Sequence, residues 1–190
     1  MGGSEGKSQK DENAMKHALG GIIGIDPGLS GAIVSLDADG KLDKIYDMPT
    51  VEVTKTKTRN IVNEVELLRI VIELGTRVHA RVVVIEQVGA RPGEGVVSAF
   101  RFGESFGVIR GVIAVLKRPV VFVPPQKWKK AMGLGSNKDE SRILASRQWP
   151  DSAHMFNRKK DADRAEAALI AYYGHVNGLF INKEGLPNYD

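Results

Sequence analysis

The sequence contains no cysteine, which excludes disulfide bonds and thiolate metal sites and leaves oxygen and histidine as the metal ligands available. Aromatic residues make up only 6% of the chain, and no apolar run approaches the roughly 20 residues of a membrane-spanning helix. We therefore expect no membrane partner. The chain has 190 residues, of which 42% are hydrophobic, enough for the core of one domain. We assign that domain to residues 19–182, a polar, disordered leader to residues 1–18 and a tail to residues 183–190.

Positive charge is concentrated in one third of the chain. Residues 127–160 contain nine lysines and arginines against three acidic residues, so the net charge of this segment is +6. The whole chain has a net charge of +4, so the remaining residues together carry −2. Such a segment is typical of a protein that binds a polyanion, although a solvated lysine-rich face is the simpler alternative. Lys127, Lys130 and Arg142 are its candidate phosphate contacts. We interpret Trp128, which lies among the lysines, as a packing residue rather than a base-stacking one.

Apolar patterning predicts a mixed α/β domain. Short apolar runs bounded by turn residues predict strands over residues 21–26, 31–36, 42–47, 81–86 and 120–123. Apolar residues that recur every three to four positions predict helices over residues 60–78, 96–116, 126–132, 138–148 and 162–176. Residues 48–60 are interpreted as a loop. This order predicts a mixed five-stranded sheet, with three antiparallel strands followed by parallel strands, flanked by helices.

Two acidic residues end predicted strands. Asp26 closes the first strand in GIDPGLSGA (residues 24–32) and is followed by a turn of small residues, while Glu86 closes the fourth strand. Such a turn suits either a nucleotide phosphate held against bare backbone or a metal ion beside a nucleic-acid phosphate. If the two strands are neighbours, both carboxylates emerge at one sheet edge. Burying a lone carboxylate costs several kcal/mol, and no lysine or arginine in either strand run is placed to pair with it.

Two further acidic residues lie on the last predicted helix. Asp163 and Glu166 are three residues apart and share a face of a helix that is apolar nearly all round. Like charges at this spacing repel, so a cation between them is the simplest explanation. Asp161, just before the helix, is interpreted as its N-cap.

Four carboxylates without cysteine suit Mg²⁺ or Mn²⁺, hard ions that prefer oxygen ligands. Two such ions about 3.5–4 Å apart can activate a water molecule and stabilise the leaving oxygen in displacement at phosphorus. Any single acid of the four is explained as well by a surface charge, whereas the four together favour a metal site. The candidate ligands are Asp26, Glu86, Asp163 and Glu166.

The chain resembles the RuvC family of Holliday-junction resolvases over residues 22–174. The matching stretches, in order, are GIDPGLSGA at 24–32, VVIEQV at 83–88, FGESFGVIRGVIAVL at 102–116, GLGSNKDES at 133–141 and DADRAEAALIAYY at 161–173. This resemblance implies an RNase H-like fold and an endonuclease that resolves four-way DNA junctions by paired symmetric nicks. It also implies two Mg²⁺ or Mn²⁺ ions per active site and a homodimer that dimerises through the 97–116 helix. The basic KWKK segment is most similar to the plant chloroplast branch, which implies a chloroplast location.

The resemblance also assigns roles to individual residues. It implies that Asp26 bridges the metal ions, that Glu86 is the second ligand and that Asp163 and Glu166 are the acidic ligands of the last helix. Lys138 falls where the family has a lysine near the scissile phosphate, and is counted with the four acids as catalytic. Lys129 matches a second DNA-contacting lysine.

The chain departs from the bacterial pattern at two positions. Glu166 stands where bacterial members usually have aspartate. Gly89 stands where they often carry an aromatic residue that stacks on a junction base. Base contact is therefore expected from elsewhere in residues 89–97, with Arg91 or Glu94 as candidates.

Other functions stay open at this point. An actin-like or sugar-kinase-type ATPase also begins with such a strand and turn, but it needs a second domain and a second phosphate loop that we do not find, so we expect no nucleotide cofactor. A junction-binding protein that has lost its chemistry is a second alternative. The basic segment also suits RNA or RNA–DNA hybrid substrates.

Overall fold

A five-stranded sheet forms the centre of the molecule. The structure is a computed structural model and describes residues 20–54, 58–89, 93 and 95–179. The strands lie in the order β3 (Leu42–Asp47), β2 (Ala32–Leu36), β1 (Ile22–Asp26), β6 (Val82–Glu86) and β7 (Val120–Val123). The first three pair antiparallel, while β6 pairs parallel with both β1 and β7. The predicted mixed sheet is confirmed.

Five α-helices within the described residues flank the sheet. They are α1 (Glu64–Arg77), α2 (Val96–Ala114), α3 (Pro125–Ala131), α4 (Lys138–Gln148) and α5 (Ala162–Val176), with 3₁₀ turns at Pro150–Phe156 and Lys159–Asp161. Each predicted helix exists. The first begins later than expected because the Asn63 side chain accepts a hydrogen bond from the Glu66 amide and caps the helix there. Asn137 caps α4 in the same way, through the Asp139 amide.

The prediction of a loop over residues 48–60 is wrong. This region contains a separate two-stranded antiparallel sheet, β4 (Thr50–Thr54) paired with β5 (Thr58–Val62). Its strands are largely exposed and rich in threonine and charged residues. Val51 and Val53 of β4 alternate with polar residues, as is typical of a strand, whereas β5, TRNIV, shows no such alternation. An Arg59–Glu104 ion pair of 3.6 Å connects the hairpin to α2.

Side-chain alternation along the strands decides which face each residue occupies. Ile23 and Ile25 of β1 pack into the core layer beneath α1 and α2, whereas Ile22 packs into the layer beneath α5. Gly24 also faces α5, so closely that a Cβ built on it would lie 2.4 Å from the Ala167 carbonyl oxygen. By the same alternation, the last residues of β1 and β6 face α5. The fold therefore presents both strand acids to the helix that carries the other two.

Some predictions lie outside the described residues. The leader at residues 1–18 and the tail at residues 183–190 are among them, so the predicted domain bounds stay predictions. Within the described part of the chain, none of the helices combines the length and hydrophobicity needed to cross a membrane.

Candidate metal centre

The two strand acids lie side by side at one end of the sheet. β1 and β6 run parallel with Ile25 opposite Ile85, so Asp26 and Glu86 follow at adjacent positions. Neighbouring residues of paired strands point to the same face and are about 4.8 Å apart across the ladder. Val82 and Val84 lie in the core layer beneath α5, which places Glu86 on that face as well.

The first turn of α5 brings the helix acids to this edge. Carboxylate oxygens of Asp26, Asp163 and Glu166 all lie within 4.8 Å of one another. Asp163 is 9% exposed and Glu166 is 5% exposed. Acids from positions 26, 163 and 166 therefore meet in one nearly buried cluster, whereas the fourth acid of the predicted set, Glu86, is not part of this group of three.

The pKa of Asp26 shows how unfavourable this cluster is when it holds only protein atoms. Burial, followed by the charges of Glu86 and Asp163, raises the pKa of Asp26 to about 7. A hydrogen bond from the Gly28 amide, 3.2 Å from Oδ1, acts in the opposite direction but is outweighed. Asp26 is therefore only partly ionised near neutral pH, and a nearby cation would favour its charged form.

Glu86 lies beside the three-carboxylate group, and a tryptophan side chain orients its carboxylate. The indole Nε1 of Trp128 donates a hydrogen bond of 2.9 Å to its Oε1. Burial raises the pKa of Glu86, the Trp128 hydrogen bond lowers it, and the charge of Glu166 raises it again. The negative charges of Glu86 and Glu166 therefore repel each other, which shows that the strand acid lies close to the helix acids.

Two lysines neutralise the helix acids. Lys129 Nζ lies 2.7 Å from Glu166 Oε1, and Lys138 Nζ lies 2.5 Å from Asp163 Oδ1. The Ser141 hydroxyl lies 3.4 Å from the same Glu166 oxygen. Lys129 is near the end of α3 and Lys138 begins α4, so both cations come from the basic segment. Each helix acid is therefore paired with a lysine ammonium group of its own, rather than sharing one lysine with the other acid.

The other predicted DNA contacts differ in their surroundings. Lys127 and Lys130 are exposed on α3. Arg142 is partly buried and donates to Asp139 and to the carbonyls of Phe156 and Asn157, so it ties α4 to the following turn. Arg91 and Glu94 lie outside the described residues.

Arg164 was not recognised from sequence, although it lies between the two helix acids. It points to the other side of the β1–β2 turn, where it pairs with Asp47 and with Asp161. These three residues, together with Leu29, Ser30, Gly31 and Lys160, line a cleft of about 210 Å³. Asp161 occupies the N-cap position of α5, as predicted, but its carboxylate bonds to Arg158 and makes no capping bond to α5.

The residues present fit a hard divalent cation. All the candidate ligands are carboxylates, which is the donor type that Mg²⁺ and Mn²⁺ prefer. Opposite ligands of an octahedral Mg²⁺ lie about 4 Å apart, close to the 4.8 Å limit of the three-carboxylate group. Four carboxylates and two ammonium groups leave two negative charges when all are ionised, which is the charge that a divalent ion cancels.

No protein-family model and no curated protein matches the chain. Among solved structures, Thermus thermophilus RuvC in complex with a Holliday junction substrate is 15% identical with a TM-score of 0.52, covering 83% of this chain and 96% of that one. The yeast mitochondrial Holliday junction resolvase Ydc2 is 14% identical with a TM-score of 0.50, covering 87% of this chain and 84% of that one. The RuvC-like fold predicted from sequence is therefore confirmed.

Proposed function

We propose that this protein is a metal-dependent endonuclease that resolves four-way DNA junctions by paired symmetric nicks. The observation that carries the proposal is the meeting of Asp26, Asp163 and Glu166 within 4.8 Å, with two lysines paired to the helix acids. The fold supports it, because structural neighbours include RuvC bound to a Holliday junction substrate and a mitochondrial Holliday junction resolvase.

Two metal ions, rather than one, would give the site a net positive charge. Two divalent cations and two ammonium groups exceed four carboxylates by two positive charges. An excess of this size attracts a phosphodiester and compensates the second negative charge that develops when water attacks phosphorus. Asp26, Glu86, Asp163 and Glu166 would hold Mg²⁺ or Mn²⁺. When bound, the ions would activate water and stabilise the leaving oxygen.

The protein residues divide the remaining work. The backbone of Asp26 is held by the end of β1, and its carboxylate accepts a hydrogen bond from the Gly28 amide, so the position of this carboxylate is fixed by backbone groups. The small residues of the turn that follows leave space for a strand of DNA. Lys138 has a side chain that is 58% exposed, so it can turn from Asp163 to the phosphate under attack. Lys129 is less exposed, at 21%, and keeps Glu166 paired.

The basic segment supplies the surface for the DNA backbone. Lys127 and Lys130 are exposed on the same short helix that carries Lys129, beside the acidic cluster. Contacts of this kind position DNA without reading its sequence. Arg142, which already bonds to protein carbonyls, contributes by holding α4 in place beside the phosphate path.

Paired nicks require a dimer, and α2 offers a surface for one. Two-fold symmetric cutting needs two active sites related by a two-fold axis, hence isologous contacts. Of the 19 residues of α2, Ile109 and Ile113 are buried, whereas Val96 and Phe100 are 85% and 73% exposed. The same face continues through Gly103, Gly107 and Gly111, where a built Cβ would meet no heavy atom within 4 Å beyond the adjacent backbone of the helix itself. This exposed ridge, formed by Val96, Phe100, Gly103, Gly107 and Gly111, is apolar and could pack against the same helix of a second copy of the chain.

Cleavage of a synthetic immobile four-way junction tests the proposal. We expect cuts in two opposite strands with Mg²⁺ or Mn²⁺, leaving 5′-phosphate and 3′-hydroxyl ends, and no cuts with EDTA. Linear duplex, flap and RNA–DNA hybrid substrates should be cut more slowly. Faster cutting of the hybrid would favour a ribonuclease H-like substrate instead.

Asp26→Asn separates chemistry from binding. The substitution removes the central charge and should reduce cleavage by at least about 10³-fold while junction affinity is retained within about threefold. Asp151→Asn, at an exposed acid outside the cluster, is the control. A wild-type protein that binds junctions in the presence of Mg²⁺ but never cuts them would support the non-catalytic alternative. The chloroplast location rests on sequence resemblance alone and stays a prediction.

A further inference from the structure

Trp128 is placed directly against the candidate metal centre by the end of the sheet. Val123, the last residue of β7, pairs with Glu86, and two prolines then turn the chain into α3. Trp128 lies on the first turn of α3 and is completely buried, with 0% of its surface exposed. Its indole ring therefore lies beneath the end of β6.

The strand acids and the helix acids are held by different kinds of donor. Ammonium groups of Lys129 and Lys138 hold Glu166 and Asp163. Neutral N–H groups hold the two strand acids: the Gly28 amide donates a hydrogen bond to Asp26, and Trp128 Nε1 donates one to Glu86. A neutral donor orients a carboxylate without cancelling the charge that a metal ion needs. An exposed lysine such as Lys138 can turn away when a cation arrives, whereas an indole fixed in the core stays.

The chemistry of indole suits this role. Its single N–H donates and cannot accept, so it holds one carboxylate oxygen and leaves the other for a metal ion. The face of the same ring lies 5.2 Å from Lys129 Nζ, the ammonium group that pairs with Glu166. Trp128 thus contacts the partner of one acid and the oxygen of another.

We propose that Trp128 is a positioning residue that orients Glu86 for divalent metal binding through its indole N–H. This inference rests on the proposed metal-dependent function, and deepens it by assigning a role to a residue outside the ligand set. Partners that orient metal-binding side chains typically contribute 10- to 100-fold to metal affinity.

Trp149 provides a matched control within the same core. It is 7% exposed, belongs to the same core cluster, and donates its Nε1 hydrogen to the Gly40 carbonyl oxygen at 3.0 Å. Trp128→Phe and Trp149→Phe each remove one buried indole N–H and keep an aromatic ring. Only the first removes a partner of a candidate metal ligand.

Calorimetric titration of the full chain with Mn²⁺, without DNA, is the primary measurement. Trp128→Phe should weaken Mn²⁺ binding by at least about 10-fold, whereas Trp149→Phe should leave it within twofold of wild type. In junction cleavage, the Mg²⁺ concentration for half-maximal rate should rise by a similar factor for Trp128→Phe alone. Unfolding midpoints of the two variants in EDTA reveal any difference in stability.

Equal Mn²⁺ affinity in the two variants would overturn the proposal and leave Trp128 as a packing residue. If Trp128→Phe fails to fold, 3-benzothienylalanine at position 128 replaces the N–H by sulfur in a ring of nearly the same shape, and the same 10-fold loss is expected. A wild-type protein that binds Mn²⁺ but cuts no junction would contradict the proposed function without affecting this inference. A wild-type protein that binds no Mn²⁺ would contradict both.

Discussion

At the scale of single residues, the negative charge concentrated around Asp26 lowers the free energy of unfolding of the metal-free protein. Three other carboxylates act on it, and its pKa of about 7 lies well above the ordinary value of 3.8. The folded chain therefore binds this proton more tightly than the unfolded chain does. As pH rises from 3.8 to about 7, ionisation of Asp26 lowers the free energy of unfolding. Above about pH 7 this loss of stability is complete.

Asp26→Asn should consequently stabilise the metal-free protein at alkaline pH. At about 1.4 kcal/mol per pKa unit, we expect a gain of about 2–4 kcal/mol at pH 8 in EDTA and almost none at pH 4. Urea unfolding followed by tryptophan fluorescence measures both values. Mg²⁺ should stabilise the wild type and leave the variant unchanged. An equal gain at both pH values would show that the charge of Asp26 is not its cause.

At the scale of elements, the position of α5 determines whether the cluster assembles. Asp161 is 1% exposed at the start of this helix and accepts hydrogen bonds from the backbone and side chain of Arg158. Arg164, one turn later, pairs with Asp161 and reaches Asp47 at the end of β3. These contacts fasten the first turn of α5, which carries Asp163, to the edge of the sheet.

Asp161→Ala should loosen this attachment. Losing charge-assisted hydrogen bonds to a buried acid should lower the free energy of unfolding by about 1–3 kcal/mol, and the melting temperature by about 2–4 °C per kcal/mol. Thermal unfolding followed by circular dichroism measures the change. Asp151→Ala, at an exposed acid in the preceding 3₁₀ turn, should have almost no effect. Equal melting temperatures for the two variants would mean that the Arg158–Asp161 contacts do not stabilise α5.

At the scale of the whole molecule, one sheet edge and one helix face serve different purposes. The end of β1 and β6 collects the acids and lysines, while α2 presents its exposed ridge on the opposite layer of the sheet. A dimer formed through α2 would leave both acidic clusters accessible to DNA. In the proposed dimer, this separation would allow one junction to meet both candidate metal centres.

Phe100→Glu tests the dimer. Placing a charge on the ridge should raise the dimer dissociation constant at least about 10-fold, since burying an unpaired carboxylate in an interface is strongly unfavourable. Light scattering after size-exclusion chromatography measures mass, and a cruciform plasmid distinguishes single nicks from linearisation. The monomeric variant should nick without linearising. Val65→Glu is the control, because Val65 is 76% exposed but lies on α1. A wild-type monomer that linearises the plasmid would contradict the proposal.

The sequence by itself determined the five strands of the main sheet, the five predicted helices and the positions of four acids at strand ends and on the last helix, because each depends on local patterns. Apolar alternation ending at Asp26 and Glu86, and helical spacing around Asp163 and Glu166, are readable without a fold. The β4–β5 hairpin was missed because both strands are short and largely exposed, and only β4 of the two alternates apolar and polar residues.

Only the tertiary structure decided which donor meets which acid. The pairing of β7 with β6 brings Trp128 under Glu86 from 42 residues away, and the loop after α3 brings Lys138 to Asp163. Arg164, adjacent to Asp163 in sequence, points instead to Asp47. Side-chain partners depend on how elements pack, since a hydrogen bond forms only within about 3 Å, and no local pattern specifies distances between segments that far apart in the chain.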